Sequence, residues 1–186
     1  MNTPNRLSRP IVLTSAALFA AGIVSGAGIY ARRSDTPEVH HGDTSAWTVH
    51  LILTALAVAV VALLAVRGCL VRSVRVPFTR AAGARVRLTL REAVRSPGAA
   101  VRTVVSLPFA WIFLFGIFRA GEQVIAGLDP NFTANAWGGP SYLGAMYCHY
   151  LDVVLLMAVA ALALHGLLLR PAAVRTPSGM GKVETR

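Results

Sequence analysis

Five ionisable residues carry the only chemistry that the spacing of this chain suggests: His50, Arg119, Glu122, His149 and Asp152. Arg119 and Glu122 are three apart, as are His149 and Asp152, so on helices the members of each pair share a face and can interact. His50 and His149 fall in different apolar segments at about the same depth. Two imidazoles on separate helices at one level are what axial haem ligation inside a helix bundle requires. Glu122, Asp152 and His149 could instead pass protons at the mouth of a conduit. A third reading is a salt-bridge layer that locks helix ends together. Ionisable groups at a membrane boundary are costly and face the protein interior or one another under all three. No Ser-His-Asp order, phosphate loop, Cys-x-x-Cys or His-Glu-x-x-His occurs, so no residue is assigned to catalysis. His40-His41 beside Asp43 is the nearest thing to a metal site. Adjacent side chains on an extended chain point apart, so a solvated loop is expected there and no metal is assigned.

The elements that must hold these residues are four apolar stretches of bilayer-spanning length, over residues 11–30, 47–66, 104–125 and 142–169. The chain is 55% hydrophobic and only 14% charged, against about 25% charged in a soluble domain. No segment outside the stretches is long enough to bury a core of its own. The expectation is an all-α integral membrane four-helix bundle forming a single domain over residues 1–186. If the chain crosses four times, all of its 18 Lys+Arg except Arg32, Arg33 and Arg119 gather on one side. Short arginine-rich loops stay in the cytoplasm, which predicts N-in, C-in topology. The net charge of +10 could suggest nucleic acid. Its placement along one membrane face points instead to an anionic inner leaflet, at about 1 kcal/mol per basic residue, and no nucleic-acid partner is expected. Lys182 is the one lysine; with abundant Ala and Val this points to a GC-rich bacterial genome and the bacterial plasma membrane.

Details of the stretches sharpen this outline. The first carries Gly22-x-x-x-Gly26, small residues that let a second helix backbone approach closely, in this chain, in a second copy or in another protein. It also has signal-peptide traits, with Ser25-Gly26-Ala27 as a small-residue cleavage site; its length favours a retained helix. Cys69 and Cys148 are expected on opposite faces, too far apart to pair. Trp47 opens the second stretch as an interfacial anchor. The loop over 67–102 holds nine Arg and one acid, Glu92. Within it Val86, Leu90 and Val94 recur every four residues, with Arg87, Arg91 and Arg95 on the adjoining face. That pattern predicts an amphipathic helix lying on lipid headgroups. Pro108 should bend the third stretch or end an inner half-turn of it. Trp111, Phe113, Phe115 and Phe118 make it the most aromatic of the four. The tail over 170–186, rich in Pro, Gly and basic residues, is expected to be disordered.

Between Arg102 and Asp152 the chain has Arg102 opening a helix, the run Trp111-Ile112-Phe113-Leu114-Phe115-Gly116, and a polar loop with Gly138-Gly139-Pro140-Ser141-Tyr142-Leu143-Gly144. In these features it resembles the start of DoxX-family membrane proteins, although two stretches precede it here and one follows. The resemblance implies a small four-helix membrane protein, in some members associated with quinone-linked oxidoreductases. The whole chain is also similar to small multi-pass membrane proteins of high-GC actinobacteria, a likeness that carries no activity. The leading expectation is a non-catalytic accessory or structural subunit, without cofactor, packing against a membrane protein partner or a second copy through the Gly/Ala face of the first helix and the aromatic face of the third. The alternative is a redox subunit with haem b or quinone, or a small transporter or proton conduit, using the outer polar cluster.

Overall fold

The computed structural model describes residues 6–171, and these are helical apart from short connections. Helix α1 spans Arg9–Ala31, α2 Trp47–Val66, α3 Leu70–Arg75, α4 Arg80–Ala93, α5 Pro97–Ala126, α6 Pro130–Thr133 and α7 Tyr142–Leu167. Four of them, α1, α2, α5 and α7, are long and apolar enough to cross a membrane. Most of the expected disordered tail, residues 172–186, lies outside the described residues.

Three of the four expected stretches coincide with helices to within two residues at each end. The exception is α5, which begins seven residues before the apolar stretch. Hydropathy marks where the membrane starts, whereas Ser96 and Pro97 mark where the helix starts. Pro at the first helical position loses nothing, because its missing N–H has no intrahelical acceptor there. The helix continues through Pro108 to Ala126 without ending.

The spans do not all join one bundle. Helix α5 is the hub: its largest contact is with α1, then with α7, and α4 also packs on it. Helix α2 stands apart. Among the spans it makes appreciable contact with α7 alone, and His50 is its one buried residue. The expected four-helix bundle is therefore a packed layer of α1, α5 and α7, with α2 at its margin.

The α1–α5 contact is built on glycine. A Cβ on Gly22 would collide with the Phe118 carbonyl, one on Gly26 with the Glu122 carbonyl, and one on Gly121 with the Phe19 carbonyl. Lipid tails are as apolar as leucine, so helices associate in a bilayer through such close backbone contact rather than through the hydrophobic effect. The Gly22/Gly26 face is filled by α5 of the same chain. It is not open to a partner or a second copy, which corrects the expectation that this face serves an external contact. On the other flank of α5, Gly116 lies against Met157 of α7, and Gly144, Ala145, Cys148 and Ala160 of α7 are buried.

The two ends of the spans are tied differently. At one end lie the start of α1, helices α3 and α4, the start of α5 and the finish of α7; this is the arginine-rich end. There Ser8 N–H donates to Phe78 O at 2.8 Å and Arg80 N–H to Arg6 O at 2.9 Å. At the opposite end two loops are joined by asparagine side chains. Asn131 Oδ1 accepts from Glu38 N at 2.8 Å and its Nδ2 donates to Ser34 O and Thr36 O at 2.9 and 3.1 Å. Asn135 accepts from His41 N at 2.9 Å and donates to Val39 O at 3.2 Å.

Helix α4 is amphipathic as expected; Val86, Arg87, Leu90 and Arg91 on it, and Val94 and Arg95 just past its end, are all exposed. Its side towards the protein is polar. Arg85 and Thr89 are its buried residues.

Candidate functional site

The opposite end holds the polar layer. From α5 come Arg119 and Glu122, from α7 His149 and Asp152, and from α2 His50. The backbone explains how they meet. Close approach of α1 and α5 at the glycines brings Ser25 to Glu122, and its hydroxyl donates to Oε1 at 2.8 Å. The other carboxylate oxygen is paired with the Arg119 guanidinium, one helical turn back. Glu122 is buried, and both its oxygens are engaged. The Arg119 guanidinium also lies over the Phe132 ring, 5.4 Å from its centroid, a cation–π contact that shields the charge further.

Asp152 pairs across helices rather than along α7. Its Oδ2 lies 3.2 Å from His50 Nε2, and His50 Nδ1–H donates to Ala46 O at 2.8 Å. Each nitrogen of the imidazole therefore faces an oxygen, the Ala46 carbonyl on one side and the Asp152 carboxylate on the other. Trp137 lies beside the His50 ring at 5.6 Å, and Trp47 stacks on Tyr147 at 5.8 Å. Thr54 and Tyr147 join their hydroxyls one turn deeper, where Thr54 also donates to His50 O at 2.7 Å. These contacts are the polar anchor of α2 on α7.

The structure thus brings the five predicted residues to one end of the spans, as the Arg119–Glu122 ion pair and the His50–Asp152 contact, with His149 within electrostatic reach of Arg119, Asp152 and His50. It does not hold His50 and His149 as a ligand pair. Both His50 nitrogens are occupied, so no lone pair on that ring faces an iron, and the residues present do not fit bis-histidine haem. His40 is likewise engaged, its Nδ1 2.6 Å from Ala134 O, and no cluster of three or more His, Cys, Asp or Glu side chains suited to a metal occurs among the described residues.

Several participants escaped sequence reasoning. Ser25 was read only as part of a cleavage site, although it shares the small-residue face with Gly22. Asn131 and Asn135 are four apart, the spacing that lets one helical turn present two amides to a passing strand. The largest omission is at the arginine-rich end. Arg85 of α4 is buried and caps the finish of α7. It donates from NH2 to Leu168 O at 2.6 Å and to His165 O, from Nε to Leu169 O at 3.3 Å, and from NH1 to His165 Nδ1 at 3.0 Å. Thr89 Oγ1 accepts from Leu169 N at 2.9 Å. The last carbonyls of any helix lack intrahelical partners, and α7 is followed by Leu168-Leu169-Arg170 without a glycine cap. That unsolved end was the signal.

No family model matches the chain, and neither a curated protein nor a solved structure matches it. The likeness of residues 102–152 to DoxX proteins finds no support there and brings no activity to the site.

Proposed function

We propose that this chain is a non-catalytic accessory subunit of a bacterial plasma membrane, N-in and C-in, that packs against another membrane protein. The arginine-rich end would face the cytoplasm, since basic residues are retained on that side. The polar layer then stands at the outer surface as a structural clamp. Its carboxylates are already engaged within the chain, which supports a fixed layer over a conduit.

The observation that carries the reading is Trp111. It lies at the middle of α5, is 68% exposed, and stacks on Phe115 at 5.8 Å, which continues to Phe118 at 6.2 Å. Tryptophan favours the membrane surface, where its N–H finds an acceptor. At mid-span a lipid tail offers none, while a neighbouring helix can supply a carbonyl or hydroxyl. With Gly22 and Gly26 taken up inside the chain, this aromatic ridge becomes the face available for a partner helix. The test is co-purification in mild detergent from the native membrane. Trp111→Ala with Phe115→Ala should release a partner that the unaltered chain retains, without changing its helix content. Retention of the same complex by the double variant overturns the proposal.

A further inference from the structure

A second site lies at the arginine-rich end, away from the polar layer. A cavity of about 550 Å³ opens between α1, α4, α5 and α7, within the roughly 300–1,000 Å³ typical of ligand sites. Its depth is apolar: Ile11, Ala110, Phe113, Leu114, Ala161 and Leu164 line it. Its mouth holds the guanidinium groups of Arg72 from α3 and Arg85 from α4, with the His165 imidazole beside them.

The depth of the cavity lies within one leaflet. Along α7 it runs from Leu168 to Ala161, which is ~10 Å at 1.5 Å per residue. Half of a bilayer's hydrocarbon core is about 15 Å. A site with guanidinium charge at its mouth and apolar walls below it matches a molecule with an anionic head and a hydrocarbon tail.

The charge at the mouth is unbalanced. Arg72 and Arg85 form no salt bridge among the described residues, and the one acid of the loop, Glu92, is already paired with Arg95 at 3.2 Å. Arg85 donates to neutral acceptors, three carbonyls and an imidazole nitrogen. Burial and the neighbouring Arg170 push its guanidinium below the ordinary value, yet a guanidinium keeps its proton at any physiological pH. The His165 ring adds a donor. Its Nδ1 accepts from Arg85, so Nε2 carries the hydrogen.

We propose that this cavity binds one anionic phospholipid, its phosphate held at Arg72 and Arg85 and one acyl chain lying between α1, α5 and α7. This is a specific site, distinct from the loose attraction of Arg87, Arg91 and Arg95 to the leaflet. A neutral isoprenoid or quinone would fill the apolar part but leave both guanidinium charges uncompensated.

The test is native mass spectrometry of the full chain taken from vesicles of equal parts phosphatidylglycerol and phosphatidylcholine. One phosphatidylglycerol should be retained per chain in clear preference to phosphatidylcholine. Arg72→Gln should cut that preference about fivefold, the factor matching ~1 kcal/mol per basic residue at anionic lipid. Arg85→Gln would also fray the end of α7 that walls the cavity, so Ala110→Phe serves as the second variant: it fills the cavity and should abolish retention while the helix content stays unchanged. Equal retention of the two lipids, or none, overturns the proposal. So does a preference that survives both Arg72→Gln and Ala110→Phe, which would place the lipid on the exposed arginines instead.

Discussion

Asp152 of α7 meets His50 of α2 at 3.2 Å, and this contact joins a helix that is otherwise nearly bare to the rest of the chain. Removing either partner leaves the other without this contact, and His50 is fully buried. In membranes such polar contacts average about 0.6 kcal/mol and reach about 1.7, and the burial of His50 favours the upper part of that range. His50→Ala and Asp152→Ala should each lower thermal stability in detergent by ~1–2 kcal/mol, and the double variant should cost little more than either. Strictly additive losses would show that the two side chains do not act as a unit.

Glu122 is tied on both oxygens, so its two neighbours should not be equivalent. Glu122→Gln keeps an acceptor for Ser25 but gives up the ion pair with Arg119. Ser25→Ala removes a single neutral hydrogen bond, worth roughly 0.5–1.5 kcal/mol. Thermal unfolding of the two variants should therefore rank Glu122→Gln as the more damaging. The opposite ranking would mean that Arg119 is satisfied by Phe132 and lipid rather than by the carboxylate.

The order of the spans, their lengths and the gathering of ionisable groups at one end were legible because bilayer thickness and the cost of buried charge act on sequence directly. Partner choice within that layer was not. His149 and Asp152 look like a pair because they are one turn apart on α7, yet Asp152 turns to His50, a contact that depends on where α2 sits. Hydropathy cannot report that α2 leans on α7 at one end only, since lipid covers a bare helix as well as a neighbour does. The role of Arg85 was hidden for a related reason. Periodicity drew attention to Val86, Leu90 and the exposed arginines, whereas the side of α4 that the protein buries is marked by an arginine and a threonine. Their purpose is visible only beside the uncapped end of α7.

Gly22 and Gly26 test whether helix α1 belongs to this chain's own packing. Leucine at both positions would place side chains where the Phe118 and Glu122 carbonyls lie. Overpacking typically costs about 1–3 kcal/mol per site, and here backbone rather than a flexible side chain stands in the way. The expected result is loss of a monodisperse protein in size-exclusion chromatography, together with exposure of Ser25 to labelling once it is replaced by cysteine. A doubly substituted chain that stays folded and loses only an external partner would restore the glycines to an intermolecular role.

Arg85 offers a sharper contrast because its planar fork serves three carbonyls at once. Lysine has the charge but places its donors on a single nitrogen, so it cannot span His165, Leu168 and Leu169 together. Arg85→Lys should therefore resemble Arg85→Gln, with faster amide exchange over the last turn of α7, in the Leu164–Leu169 region, while the amides of α1 and the middle of α5 stay protected. The local character matters: unsatisfied terminal carbonyls fray a helix from its end and leave its packed middle intact. If lysine restored full protection, the positive charge at the helix C-terminus would be the stabilising feature, through its interaction with the helix dipole, and the hydrogen-bond geometry would be incidental.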